Sequence, residues 1–137
     1  MSLVLDGSAT LAWLYPDEST DMILAVFDEV IRKGATVPWL WRIEVANSLT
    51  MAVRRDRVTI DERAASLADL DQLMIVTDRD TELHLWTDAL LLADRHRLTV
   101  YDATYLELAV RLSLPLATLD KDLRKAAQRE RIPLLGK

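Results

Sequence analysis

Leu3-Val4-Leu5-Asp6-Gly7-Ser8-Ala9 opens the chain with a short apolar run, an aspartate and the start of a helix-like segment. The order recurs at Leu116-Ala117-Thr118-Leu119-Asp120-Lys121-Asp122-Leu123, and Leu98-Thr99-Val100-Tyr101-Asp102 reads the same way. Three strand–Asp–helix junctions predict a parallel α/β sheet. In such a sheet all these junctions share the edge at the carboxyl ends of the strands, where ligands bind. Aspartates far apart in sequence then converge in space. Clustered carboxylates repel unless protonated or neutralised, and a divalent cation is the simplest neutraliser.

Outward from these junctions, strand and helix patterns alternate. Residues 2–6 read as a strand and about 8–14 as a helix closed by Pro16. A long amphipathic helix follows from about Thr20 to Lys33, with Met22, Ile23, Val26, Phe27, Val30 and Ile31 on one face and Gly34 at its end. Ala35-Thr36-Val37 is the next strand, and Pro38 opens a helix over about 39–54. Thr59-x-x-Glu62 is a capping box for a helix over about 60–70, ahead of a strand at Met74-Ile75-Val76. Residues 81–96 predict one helix burying Leu83, Trp86, Leu90 and Ala93, and a last strand lies near Ile132-Pro133-Leu134. The expected fold is a single α/β domain over 1–137: a short parallel sheet of four or five strands with helices on both faces.

The bulk properties agree. The 137 residues are half hydrophobic, with three glycines and four prolines, which excludes a disordered or fibrous chain. No apolar run approaches the ~18 residues of a membrane helix, and no signal-like start is present, so a soluble, cytoplasmic protein is expected. Cysteine is absent, which removes thiolate nucleophiles and cysteine-ligated zinc. A net charge of −5 argues against a basic nucleic-acid coat but leaves room for a nucleic-acid enzyme, because a cation would offset the acidic cluster.

Asp6, Asp102 and Asp120 could each be no more than a helix N-cap. Glu44 differs: flanked by Ile43 and Val45 in a largely apolar helical stretch, it needs either a partner such as Arg42 or a function. The set as a whole is a stronger signal than any member. At this point the chain resembles the PIN-domain family, in particular the short ribonuclease toxins of VapBC toxin–antitoxin modules. The resemblance rests on Leu3-Val4-Leu5-Asp6-Gly7-Ser8-Ala9, Pro38-x5-Glu44-Val45-Ala46-Asn47, Tyr101-Asp102-Ala103-x-Tyr105-x-Glu107-Leu108-Ala109 and Ala117-Thr118-Leu119-Asp120-Lys121-Asp122-Leu123.

The resemblance implies that Asp6, Glu44, Asp102 and Asp120 are catalytic and hold Mg2+ or Mn2+. It makes Asp122 an accessory metal contact and Ser8 and Thr118 supporting hydroxyls, and leaves the role of Asn47 open. It also implies an RNA substrate, a homodimer and a cognate antitoxin. Oxygen-ligated magnesium or manganese suits phosphodiester hydrolysis, which needs a water activated near neutral pH. The basic group Arg54, Arg55 and Arg57 and the run from Lys121 through Arg124 and Lys125 to Arg131 offer phosphate contacts. Arg54, Arg55, Lys121, Arg124 and Lys125 are the candidates for RNA contact.

His84 and His96 fit no catalytic pattern and read as surface or satisfied residues. Trp13, Trp39 and Trp41 read as core or interface. Three rival functions remain in view. A haloacid-dehalogenase-type phosphatase wants a second aspartate where Ser8 stands. A phosphoacceptor receiver wants an acid after the third strand, which Asp78 loosely offers, and a lysine after a later strand, which is missing. A catalytically inactive PIN-type binding module is the third.

Overall fold

The computed structural model describes residues 3–137, so the part of the expected first strand at Ser2 lies outside the described residues. The described chain runs β1 (Val4–Leu5), α1 (Gly7–Leu14), α2 (Asp21–Lys33), β2 (Ala35–Val37), α3 (Leu40–Arg54), α4 (Ile60–Asp71) and β3 (Ile75–Thr77). It continues through α5 (Thr81–Leu85), α6 (Asp88–His96), α7 (Val100–Leu112), β4 (Leu116–Ala117), α8 (Lys121–Arg129) and β5 (Leu134–Leu135). The strands form one five-stranded sheet in the order β3-β2-β1-β4-β5, and every pairing is parallel. Val4 and Leu5 are fully buried, as are Leu116 and Ala117. Successive strand residues face opposite sides of a sheet, so helices cover both faces here.

Local chemistry places the helices. Thr59 Oγ1 accepts from the Glu62 N–H while Glu62 Oε1 accepts from the Thr59 N–H, so both halves of the capping box form. Gly34 ends α2 at φ +80, and a Cβ there would stand 2.5 Å from the Met74 carbonyl oxygen, so a side chain at this point would block the β2–β3 pairing. On α2, Ile23, Val26, Phe27 and Val30 are buried, whereas Met22 and Ile31 at the stripe's margins are exposed. Among the described residues no helix is long and apolar enough to cross a membrane.

Two sequence expectations are corrected. Leu98-Thr99-Val100-Tyr101 is not a strand. Arg97 adopts a left-handed conformation after α6, and Thr99 Oγ1 accepts from the Asp102 N–H at 3.1 Å, so α7 begins at Val100. The β-branched run suggested a strand, but Thr99-x-x-Asp102 is also the spacing of a helix cap.

Residues 81–96, read as one helix, break into α5 and α6 at Trp86-Thr87. The break re-phases the helix, so a 3.6-residue period carried across it selects the wrong face. Leu83 and Trp86 are 74% and 85% exposed and Leu90 is exposed too, while Thr81, Ala89, Leu92 and Ala93 are buried.

Candidate active site

The strand order fixes where a site belongs. From β1 the chain builds outward through β2 and β3 on one side, and β4 and β5 lie on the other. The direction reverses between β1 and β4, and ligands of open parallel sheets bind beyond the carboxyl ends of the strands at that reversal. Asp6 follows β1, and Thr118 and Asp120 follow β4.

Asp6 is buried and held on both oxygens. Its Oδ1 caps α1 by accepting from the Ala9 N–H at 2.9 Å, and Ser8 Oγ donates to it at 2.7 Å. Its Oδ2 accepts from Thr118 Oγ1 at 2.5 Å. Burial pushes the Asp6 carboxyl up to about 6, against these hydrogen bonds, with the Glu44 charge adding to the rise. Asp120 caps α8 by accepting from the Leu123 N–H at 2.8 Å. Both aspartates are therefore helix caps and members of the acidic group at once; the two roles do not compete.

Glu44 lies within α3. Arg42 is not its partner: that guanidinium meets Asp71 at 3.4 Å and lies over the Trp41 ring. The hydroxyl of Tyr105, on α7, donates to Glu44 Oε1 instead. Burial raises the Glu44 carboxyl, and this hydrogen bond opposes the rise.

Asp102 lies in the first turn of α7, so it is carried by a helix rather than a strand end. Burial pushes its carboxyl up to about 6, and the charges of Asp120, Asp6, Glu44 and Asp122 all push the same way. The four acids that push on it are the other four named from sequence. Among the described residues no three of them close to the spacing of a finished metal cage. The two findings agree, because Coulomb repulsion acts over distances well beyond a ligand bond. The donor set is all carboxylate, which suits a hard cation such as magnesium or manganese and not a soft one.

Ser8 and Thr118 each accept a further bond at this edge. Thr118 Oγ1 also accepts from the Asp120 N–H at 3.0 Å, and Ser8 Oγ accepts from the Leu119 N–H at 2.9 Å. The basic candidates divide. Arg54, Arg55, Lys121 and Lys125 are exposed, and Arg55 lines a groove of about 740 Å³ between α1 and α3 that reaches Ser8 and Asn47. Arg124 is engaged by the carbonyls of Thr118 and Leu135, tying α8 to the end of β5. Arg57 is held by Asp17 and Glu18 and lies 3.9 Å over the Tyr15 ring.

His96 is buried against Glu130 at 2.7 Å and His84 pairs with Asp88 at 3.1 Å, neither near the acids in any contact. Trp13 stacks on Phe27, and Trp41 is buried with Nε1 donating to Thr10 Oγ1 at 2.9 Å. Asp78, the acid a receiver domain would phosphorylate, is engaged by Arg111 at 2.8 Å and Thr81 at 2.6 Å. Tyr105 had no assigned role in the sequence reading. Its position three residues after Asp102 in a helix was the available signal, since such residues share a face.

The sequence profile of the PIN domain matches residues 3–129. The chain belongs to the PIN-domain family. Ribonuclease VapC3 from Pyrobaculum aerophilum is 32% identical over 123 residues, covering 90% of this chain and 92% of the relative. The crystal structure of PAE2754, also from Pyrobaculum aerophilum, superposes with a TM-score of 0.69 at 22% identity, over 92% of this chain and 84% of that one. At that identity the likeness concerns the fold. In this PIN domain Asp6 and Asp120 stand just beyond the carboxyl ends of β1 and β4.

Proposed function

We propose that this PIN domain is a metal-dependent endoribonuclease and the toxin of a toxin–antitoxin pair, acting on RNA in the cytoplasm. The observation that carries the reading is geometric: Thr118 joins the Asp6 carboxylate to the Asp120 backbone at the switch point of the sheet, and Tyr105 ties Glu44 to the helix that carries Asp102. The similarity to Ribonuclease VapC3 supports it. Asp6, Glu44, Asp102 and Asp120 would hold Mg2+ or Mn2+, with Asp122 as an outer contact. When bound, the cation lowers the pKa of a coordinated water and offsets negative charge on the phosphoryl oxygens.

The chain's own residues do the rest. Ser8 and Thr118 hold Asp6 with both oxygens ordered before any substrate arrives. Asp102 or Asp120 would orient the attacking water. Arg55, in the groove that also reaches Ser8, and Lys121 and Lys125 on α8 would meet the phosphates of the RNA.

Two partners belong to the same proposal. The α1–α3 groove, with Leu11, Ala12, Met51 and Leu119 as its apolar wall, is where we place the antitoxin. A homodimer would cover exposed apolar side chains of α5 to α7, among them Leu83, Trp86, Leu91 and Tyr101. Trp13 and Trp41 are spent in the core, so of the tryptophans first considered only Trp39 is free to join it.

Incubation of the protein with RNA and with acetyl phosphate, each with magnesium, manganese or chelator, tests the activity. Metal-dependent RNA cleavage lost in Asp102→Asn is the expected result. Phosphorylation without cleavage would overturn the reading.

A further inference from the structure

Tyr105 is the buried group at the crevice to which the nuclease reading gives no task. We propose that it is a positioning residue: its phenol fixes the Glu44 carboxylate, occupying Oε1 and leaving Oε2 for the cation. The inference rests on the nuclease reading above.

Glu44 needs such a device because of where it sits. Asp6 and Asp120 stand at helix N-termini and take free backbone N–H groups from Ala9 and Leu123. Glu44 lies within α3, where the backbone N–H groups are already spent inside the helix, so only a side chain can orient it. It also carries one more rotatable bond than an aspartate. Tyr105 is 1% exposed, so its ring is fixed by packing and its hydroxyl has one place to go, Glu44 Oε1. The contact joins α3 to α7, and α7 also carries Asp102, so one hydrogen bond sets the spacing of two acids from different helices.

The donor type also points to a cation site. A lysine or arginine at this point would satisfy Glu44 but cancel its charge and compete with a metal. A phenol donates a hydrogen bond and adds no positive charge. An ordinary phenol ionises only near pH ~10, so Tyr105 is a hydrogen-bond donor at neutral pH. Partners that orient metal ligands in this way are worth about 10- to 100-fold in affinity.

The test is manganese affinity by calorimetry on the whole chain, well below the melting temperature, for wild type, Tyr105→Phe, Glu44→Ala and the double variant. Tyr105→Phe should weaken manganese binding about ten-fold. In the Glu44→Ala background the same change should cost nothing further. Glu44→Asp, which keeps the charge but is too short for the phenol, should lose a similar factor even if Tyr105→Phe folds poorly. Circular dichroism in chelator verifies folding of each. Unchanged affinity in Tyr105→Phe, or an equal loss with and without Glu44, would overturn the assignment while leaving wild-type cleavage intact. A wild type that neither binds manganese nor cuts RNA would overturn the nuclease reading itself.

Discussion

Thr118 Oγ1 donates to Asp6 Oδ2 at 2.5 Å across the β1–β4 boundary, joining two residues 112 positions apart. The same oxygen accepts from the Asp120 N–H. One buried hydroxyl therefore joins the Asp6 carboxylate to the Asp120 backbone, at the point where the strand order reverses. A hydroxyl suits this position because it both donates and accepts, whereas a carboxylate would add to the crowding.

Thr118→Val keeps the shape and removes both bonds. The Asp120 N–H then loses its partner, and destabilisation of about 1–3 kcal/mol is expected, the usual cost of an unsatisfied buried group. Thr118→Ser should lose much less. Urea melts in chelator give the size of each effect. Equal loss in the two variants would show that the methyl, not the hydroxyl, matters.

Arg111 is the centre of a second acid cluster that the site does not use. It pairs with Glu107 and with Asp78, both at 2.8 Å, and Glu107 is 3% exposed. Arg111→Leu would strand a buried carboxylate, so a loss of about 3–5 kcal/mol is expected. Arg111→Leu with Glu107→Leu should recover much of it. Denaturant unfolding of the three proteins decides, and a double variant as weak as the single would refute the stranded-charge explanation.

The same cluster predicts an acid limb. Burial tends to raise the Asp78 carboxyl, but hydrogen bonds from Arg111 and Thr81 and the Arg111 charge hold it below its ordinary 3.8. A depressed folded-state pKa gives stability that is complete above the unfolded value and lost as pH falls through the folded one. Stability should therefore decline below pH about 3.8 on this account, and Asp78→Asn should flatten that decline. A variant with an unchanged acid limb would assign the loss to other carboxylates.

Much of this was legible in the chain. Leu3-Val4-Leu5-Asp6 and Ala117-Thr118-Leu119-Asp120 signal themselves because a buried parallel strand is a short apolar run and its exit needs a cap. The capping box at Thr59 and the glycine at 34 act through bonds to near neighbours, so sequence spacing suffices. Asp102 was identified with the wrong local structure, since Val100 and Tyr101 look like strand residues until Thr99 is recognised as a cap. The Leu83 and Trp86 assignments failed because a helix break resets periodicity and no glycine or proline announces it. Tyr105–Glu44 and Thr118–Asp6 are contacts between distant segments, and no spacing rule within one chain segment reveals them.

Asp102→Asn separates repulsion from ion pairing. The asparagine keeps the size of the side chain and loses its charge. Because burial and four neighbouring carboxylates all disfavour the charged form of Asp102, the variant should melt at the same temperature as wild type in chelator, or higher. Metal should raise the wild-type melting temperature, as any ligand of the folded state does, and raise that of the variant far less. RNA cleavage should be lost. An Asp102 that served a buried cation of the protein would behave in the opposite way, with a loss of roughly 3–5 kcal/mol in chelator. Thermal melts of both proteins with chelator and with manganese distinguish the two, and a variant that melts far lower yet still cuts RNA would make Asp102 structural.

The exposed face of α5 and α6 carries the last prediction. Trp86 at 85% and Leu83 at 74% exposure stand at the α5–α6 break, with Leu91 and Tyr101 also exposed. Trp39, Leu85, Val100 and Tyr101 line a pocket of about 390 Å³ beside them. Burying aromatic area of this kind is a common source of interface energy, and Tyr101 adjoins Asp102, so a dimer through this face would bring its edge close to the crevice. Trp86→Lys should convert a dimer to a monomer in light scattering at concentrations on the order of tens of micromolar, where weak interfaces dissociate. A side chain this exposed contributes little to the protomer, so unfolding of the monomer should change by no more than about 0.5 kcal/mol. A wild type already monomeric at that concentration would remove the dimer from the proposal. A Trp86→Lys protein that remains dimeric would move the interface to another face.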